Sequence, residues 1–198
     1  MSVSTSIALY GGSFDPPHMG HLNTIKFLME MKTVDEVWLV PAGQHRDKDY
    51  YASKEQRLVM LNSMLDSELK SYDGVKIEQS QMEGPVATTY ALWLNMSKCY
   101  PCYLFYFVIG TDLLKDLRSW SEADKLLVEA SFLVMPRLGE VYEEGDLPLR
   151  YMMLDVPKEI CTDVSSSGLR HCLAQGRSVA GKVPKSVENY LFTHQIYF

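Results

Sequence analysis

The sequence has no surplus of basic residues. Nineteen Lys and Arg stand against 25 Asp and Glu, a formal net charge of −6. Broad nucleic-acid binding needs a basic surface, so a nucleic-acid partner is not expected. An acidic chain that binds an anionic ligand must gather its cations locally, near glycine turns. Long apolar runs are also missing. No stretch approaches the ~18 residues of a membrane span, so a membrane partner is not expected either. The first residues lack a basic region followed by an apolar one, so no signal peptide is read there and a cytoplasmic location is expected. Cysteine is sparse: Cys99, Cys102, Cys161 and Cys172 are the whole set. In an intracellular chain these are thiols. Cys99 and Cys102 form a C-x-x-C, but a strand rather than a helix follows and no second pair has metal spacing. No segment is repetitive or of low complexity. At 198 residues the chain is expected to be one domain, 1–198, with a full core; a homo-oligomer is left open.

What the sequence does contain is an alternation of strand-like and helix-like patterns. The apolar run Ser6–Tyr10 predicts a buried first strand, and the spacing of Leu22, Ile25, Leu28 and Met29 predicts a helix from Met19. Val34–Pro41 predicts a second strand, followed by the polar loop 44–49. Ser53, with Glu55 and Gln56 behind it, predicts the N-cap of a helix striped by Leu58, Leu61 and Leu65. Val75–Ile77 predicts a short third strand, and Thr88–Lys98 a helix after the break at Gly84-Pro85. Tyr103–Ile109 is aromatic and β-branched without alternation, the pattern of a strand buried on both faces of a parallel sheet. A helix toward Trp120, another over Glu122–Glu129 capped by Ser121, and a fifth strand at Phe132–Met135 follow. Beyond an acidic loop over 138–148, Tyr151–Val156 is the sixth strand. Ser165–Ser167 opens a helix stopped by Gly176, and Pro184 opens the last one.

Strands alternating with helices predict an α/β domain with a doubly wound, mostly parallel sheet of five to six strands. In such sheets ligands sit beyond the carboxyl ends of the strands. Five polar clusters fall just after predicted strands: Gly11–His21, His45–Lys48, Gly110–Asp112, Arg137, and Ser165–Arg170. They are therefore expected to converge on one edge. The first of them, from Gly11 and Gly12 through Ser13, Phe14, Asp15 and two prolines to His18 and His21, has the strand, glycine turn and helix start that hold a phosphate. His18 and His21 share a helix face. They could be metal ligands, but no third ligand has an obvious spacing; an imidazole can equally donate to a phosphate oxygen. Ser13 and Phe14 are expected to contribute backbone groups. The other candidates each have a plain structural alternative: core packing for Trp120, an N-cap for Asp112, a solvated face for Arg57, Lys48 and Arg170. For Arg170, a position one turn after a serine cap favours anion contact.

Gly12–His21 resembles the G-x-F-D-P-x-H-x-G-H signature of the nucleotidyltransferase superfamily at every fixed position. Pro41-Ala42-Gly43 with Lys48 and Arg57, Thr88 with Leu92, Gly110-Thr111-Asp112 with Trp120, Pro136-Arg137 and Ser165–Arg170 resemble, in order, the motifs of the nicotinate/nicotinamide mononucleotide adenylyltransferases. The chain departs from the bacterial P-P-H-K run at His45-Arg46-Asp47-Lys48, where Asp47 replaces the histidine and Arg46 or His45 takes its role. The resemblance implies a Rossmann-like fold and an adenylyl transfer from ATP, accompanied by Mg2+, to a pyridine mononucleotide. It implies His18, His21, Lys48 and Arg170 as the catalytic set. ATP would be bound by Gly12, Ser13, Phe14, His18, His21, Gly110, Asp112, Ser165, Ser166 and Arg170. The mononucleotide would be bound by Lys48, Arg57, Thr88, Asp112, Trp120 and Arg137, and no side chains are assigned to metal. The alternatives are a sister transferase such as phosphopantetheine adenylyltransferase, a cytidylyltransferase, or a non-catalytic nucleotide-binding module.

Overall fold

Among the described residues six strands pair in the order β3-β2-β1-β4-β5-β6, each pairing parallel. They are β1 (Thr5–Gly12), β2 (Glu36–Pro41), β3 (Val75–Ile77), β4 (Tyr103–Gly110), β5 (Ser131–Met135) and β6 (Tyr151–Met153). The computed structural model describes residues 4–43, 50–83, 88–137, 139–160 and 162–198. His45, Arg46, Asp47, Lys48, Gly84-Pro85 and Cys161, singled out from the sequence, lie outside them.

The helices are α1 (Met19–Glu30), α2 (Lys54–Glu68), α3 (Ser80–Glu83), α4 (Thr89–Cys99), α5 (Ala123–Glu129), α6 (Ser166–Ala174) and α7 (Lys185–Thr193). They cover both faces of the sheet, and the strands show why. Successive side chains point to opposite faces. Ala8, Val37, Leu39, Val108 and Leu133 are buried in one cluster with Leu22 and Ile25 of α1, Met60 and Met64 of α2, and Leu169 of α6. Their neighbours Ile7, Leu9, Trp38, Val40, Phe107, Phe132 and Val134 are buried in a second cluster with Leu92 of α4 and Leu126 of α5. Of the continuous run Tyr103–Ile109, Phe105 and Phe107–Ile109 are buried as such a run requires, while Leu104 near its start is half exposed.

The chain runs outward from β1 to β3, then returns to lay β4 on the other side of β1. That reversal opens a crevice at the carboxyl ends of β1 and β4. The two functional loops begin there.

Three local expectations change. The segment after β4 is a 3-10 helix over Thr111–Ser119, not an α-helix. Its buried residues are Thr111, Leu114 and Leu117, a spacing of three, which matches three residues per turn. Ser121 does not cap α5. Glu122 occupies the N-cap in a left-handed conformation (φ 59°) and no side chain caps that end. β6 stops at Met153, three residues before the expected Val156. Helix α3 has no counterpart in the sequence reading.

Phe132 is wholly buried on β5, its ring 5.9 Å from that of Phe107. Phe132→Ala should cost about 3–5 kcal/mol of unfolding free energy in urea titrations; a loss under ~1 kcal/mol would contradict this packing.

Candidate active site

The first histidine ends a loop and starts a helix. His18 is the N-cap of α1, and its Nδ1 accepts the Gly20 N–H at 3.1 Å. Three residues on, His21 Nδ1 accepts the His18 N–H at 3.1 Å. The two imidazoles thus form a reciprocal capping box, a role usually filled by Ser/Thr and Glu/Gln. Backbone amides always carry their proton, so both Nδ1 atoms are acceptors. The ring protons therefore reside on Nε2.

The rings lie 3.7 Å apart, centroid to centroid. His21 also packs against the ring of Phe14 at 4.8 Å. Burial, with the charge of Arg137 adding to it, lowers the His18 pKa to about 4. Burial first, then His18 and Arg137, holds His21 well below its ordinary value. Both rings are neutral Nε2–H donors at neutral pH.

These donors open into a cleft of about 530 Å3. Beside them it is lined by Gly110 at the end of β4, Asp112 on the 3-10 helix, Arg137 after β5, and Ser165 and Ser166 at the start of α6. Val108, Ile109, Val156, Ile160 and Val164 supply apolar wall. Arg137 Nε meets Asp112 Oδ1 at 2.9 Å. Gly110 makes room for that pair: a Cβ there would collide with the Asp112 carboxylate and lie 2.7 Å from Arg137 Nε. Ser165 caps α6, accepting the Gly168 N–H at 3.2 Å.

The sequence placed phosphate binding partly on the amides that open α1. The structure uses two of these internally: Gly20 N–H on His18, and Met19 N–H on the Lys182 carbonyl at 2.9 Å. What α1 offers the cleft is its imidazoles.

Several candidates lie outside the lining of this cleft. Phe14 is fully buried with φ 48°, so its side chain faces the core and only its backbone is available to a ligand. Gly12 ends β1, its carbonyl taking the Ala42 N–H at 2.8 Å. Arg57, expected on the mononucleotide, is 2 % exposed. Its Nη1 donates to the Ser13 and Ala42 carbonyls at 2.9 and 2.8 Å, and its guanidinium stacks on Tyr50 at 4.1 Å. Burial makes it a strut between two loops. Arg170 Nη1 donates to the Asp15 carbonyl at 2.7 Å, Nη2 to Ser167 Oγ at 3.1 Å, and the group lies over the Tyr51 ring at 4.5 Å. Thr88 is the N-cap of α4, accepting the Ala91 N–H at 3.0 Å. Trp120 is half-buried and packs on the second core cluster. Arg137, also expected on the mononucleotide, lines the same cleft as the histidines.

Asp15 was given no role from sequence. It is 2 % exposed, and its carboxylate receives Tyr51 N–H at 2.9 Å, Ala52 N–H at 3.0 Å and the Tyr197 hydroxyl. Its place in a two-proline loop was visible; its partners were not. Among the described residues no group of three or more His, Cys, Asp or Glu could hold a metal ion.

A cytidylyltransferase-like family model matches residues 9–172, a span that holds both histidines, the cleft-lining ends of β4 and β5, and all but the last two residues of α6. The chain is 31 % identical over 193 residues to a probable nicotinate-nucleotide adenylyltransferase of Halalkalibacterium halodurans, covering 96 % of this chain and 90 % of that one. It is 32 % identical over 196 residues to the probable nicotinate-nucleotide adenylyltransferase of Bacillus pumilus, covering 96 % and 97 %. Among solved structures it is similar to the Plasmodium falciparum nicotinic acid mononucleotide adenylyltransferase complexed with NaAD, with TM-score 0.88, 25 % identity and coverage of 98 % and 97 %. With the strand order, the paired histidines and the converging loops already in place, these matches settle the kinship: the chain belongs to the cytidylyltransferase-like family and, within it, to the nicotinate-nucleotide adenylyltransferases.

Proposed function

We propose that this enzyme transfers AMP from ATP to nicotinate mononucleotide, releasing pyrophosphate and forming the dinucleotide in NAD biosynthesis. The observation that carries the reading is the pair of neutral, reciprocally capped imidazoles directed into a cleft that also holds Arg137. The nicotinate preference follows the names of the relatives.

The mononucleotide 5′-phosphate oxygen attacks the α-phosphorus of ATP. A bond forms between them as the bond from the α-phosphorus to the bridging oxygen breaks, and pyrophosphate leaves with that electron pair. The attacking phosphate is already anionic, so no base is needed. Catalysis is positioning and charge stabilisation. His18 and His21 donate Nε2–H to phosphate oxygens, and Arg137 adds positive charge beside them. Ser165, Ser166 and the start of α6 hold the leaving pyrophosphate. Lys48, between β2 and α2 in sequence, supplies a further cation, while Arg170 acts from behind, on the Asp15 carbonyl. Asp112 contacts the mononucleotide within the cleft, and Thr88 and Trp120 contact the part of it that extends beyond the lining. Mg2+ arrives as part of the ATP substrate; the cleft's scattered carboxylates suit an ion that keeps its waters and rides on phosphate oxygens. A cytoplasmic location belongs to the same reading, since ATP is the donor.

Supplied with ATP, Mg2+ and either pyridine mononucleotide, the enzyme should release pyrophosphate faster with nicotinate mononucleotide. Turnover with 4′-phosphopantetheine and with neither mononucleotide would overturn the reading. His18→Asn keeps a capping oxygen and loses the Nε2–H, so kcat should fall by ~100-fold or more with helix content unchanged; near-normal turnover would remove His18 from the mechanism.

The same neutral imidazole gives a pH signature. In the fold His18 titrates near 4, against 6.5 for a free imidazole. Between those values the unfolded chain binds the extra proton, so stability rises with pH across that window and is lost as pH falls through it. His18 alone accounts for about 3 kcal/mol. Urea midpoints measured from pH 7.5 to 4.5 should decline more steeply for the wild type than for His18→Asn; equal slopes would contradict the buried neutral state.

A further inference from the structure

We propose that Tyr197 is a positioning residue for the transfer, acting through Asp15 on the loop that presents His18. The inference rests on the function proposed above and names a residue outside the cleft.

The loop between β1 and α1 is held from several directions. The Ser13 carbonyl takes Arg57 Nη1 at 2.9 Å, the Asp15 carbonyl takes Arg170 Nη1 at 2.7 Å, and the Pro16 carbonyl takes Ser166 Oγ at 2.9 Å. Each donor comes from a helix, α2 or α6. The Asp15 carboxylate adds a second set of ties. Oδ2 accepts Tyr51 N–H at 2.9 Å, and Oδ1 accepts Ala52 N–H at 3.0 Å and the Tyr197 hydroxyl at 2.5 Å. Tyr51 and Ala52 lie just before the start of α2. One buried carboxylate therefore joins the His18 loop, the approach to α2 and the segment after α7.

Tyr197 supplies the only hydroxyl donor to that carboxylate among the described residues, from 182 positions away in sequence. Its backbone is left-handed at φ 71°, and Gln195 is left-handed at φ 51°. Between them Ile196 is buried, 5 % exposed, and its N–H bonds the Leu191 carbonyl at 3.1 Å. The anchored Ile196 thus fixes where the Tyr197 ring enters. Burial and the Asp15 carboxylate raise the phenol pKa far above its ordinary value, which keeps the hydroxyl a donor. Tyr197 does not line the cleft. Its influence on the reaction must pass through Asp15, three residues before His18. A small displacement of that imidazole weakens its hydrogen bond in the transition state more than it weakens ATP binding.

Steady-state kinetics on the full chain separate positioning from simple stability. Tyr197→Phe removes the hydroxyl and keeps the ring. Met96→Ala hollows out the buried Met96 of α4, in the second core cluster and outside the cleft lining. Both are assayed well below their unfolding temperatures. Tyr197→Phe should lower kcat by ~10-fold or more with KM for ATP within about threefold, while Met96→Ala lowers the melting temperature and keeps the wild-type kcat. Asp15→Asn reports the same link from the other side, and the double variant should lose little more than either single one. A wild-type kcat in Tyr197→Phe, or fully additive losses in the double variant, overturns the positioning role. If Tyr197→Phe does not fold, wild-type kcat in Asp15→Asn overturns it in the same way. A wild type that makes no dinucleotide instead overturns the function on which it rests.

Discussion

The site depends on two reciprocal hydrogen bonds at the start of α1. His18 N–H reaches His21 Nδ1, and Gly20 N–H reaches His18 Nδ1. Together they fix the helix start, the ring orientations and the tautomers. They also use up helix-start polarity that would otherwise face a ligand, which leaves the imidazoles and Arg137 as donors facing the cleft. The close approach of the two rings and the burial of both favour the neutral form. A pair of donors that need no proton change is suited to steadying charge that is redistributed among phosphate oxygens.

Around that pair the protein uses its few cations sparingly. In a chain of net charge −6, Arg57 and Arg170 are spent on backbone carbonyls of the His18 loop and its neighbour. Only Arg137, among the described arginines, lines the cleft, and Asp112 holds it there. The Asp15 carboxylate completes the framework by gathering donors from the start of α2 and from beyond α7. The loop is thus shaped by charge-assisted bonds to its carbonyls as much as by apolar packing.

Much of the fold was legible because its signals are local. Tyr103–Ile109 reads as a doubly buried strand without reference to anything else, and Ser53 with Gln56 marks the start of α2 through a capping box that the structure contains. The convergence of loops on one edge follows from strand–helix alternation alone, and His18, His21, Gly110, Asp112, Arg137, Ser165 and Ser166 do meet there. Other features depend on distant partners or fine spacing. Arg57 carries a charge that suggests solvent, yet two carbonyls from different loops make its burial favourable. The 3-10 helix was hidden because Leu114 and Leu117 are three apart, a spacing that an α-helix also uses. Tyr197 and Asp15 are joined only by the way α7 folds back, and nothing adjacent to either residue announces it.

The central claim is that both imidazoles are neutral and carry their protons on Nε2. Nitrogen NMR of the histidine side chains in the ligand-free protein at pH 6 tests it directly. The expected spectrum shows His18 and His21 as neutral Nε2–H tautomers, with His18 protonating only toward pH 4. An Nδ1–H tautomer at either residue, or protonation of His18 at the ordinary imidazole value, would contradict it.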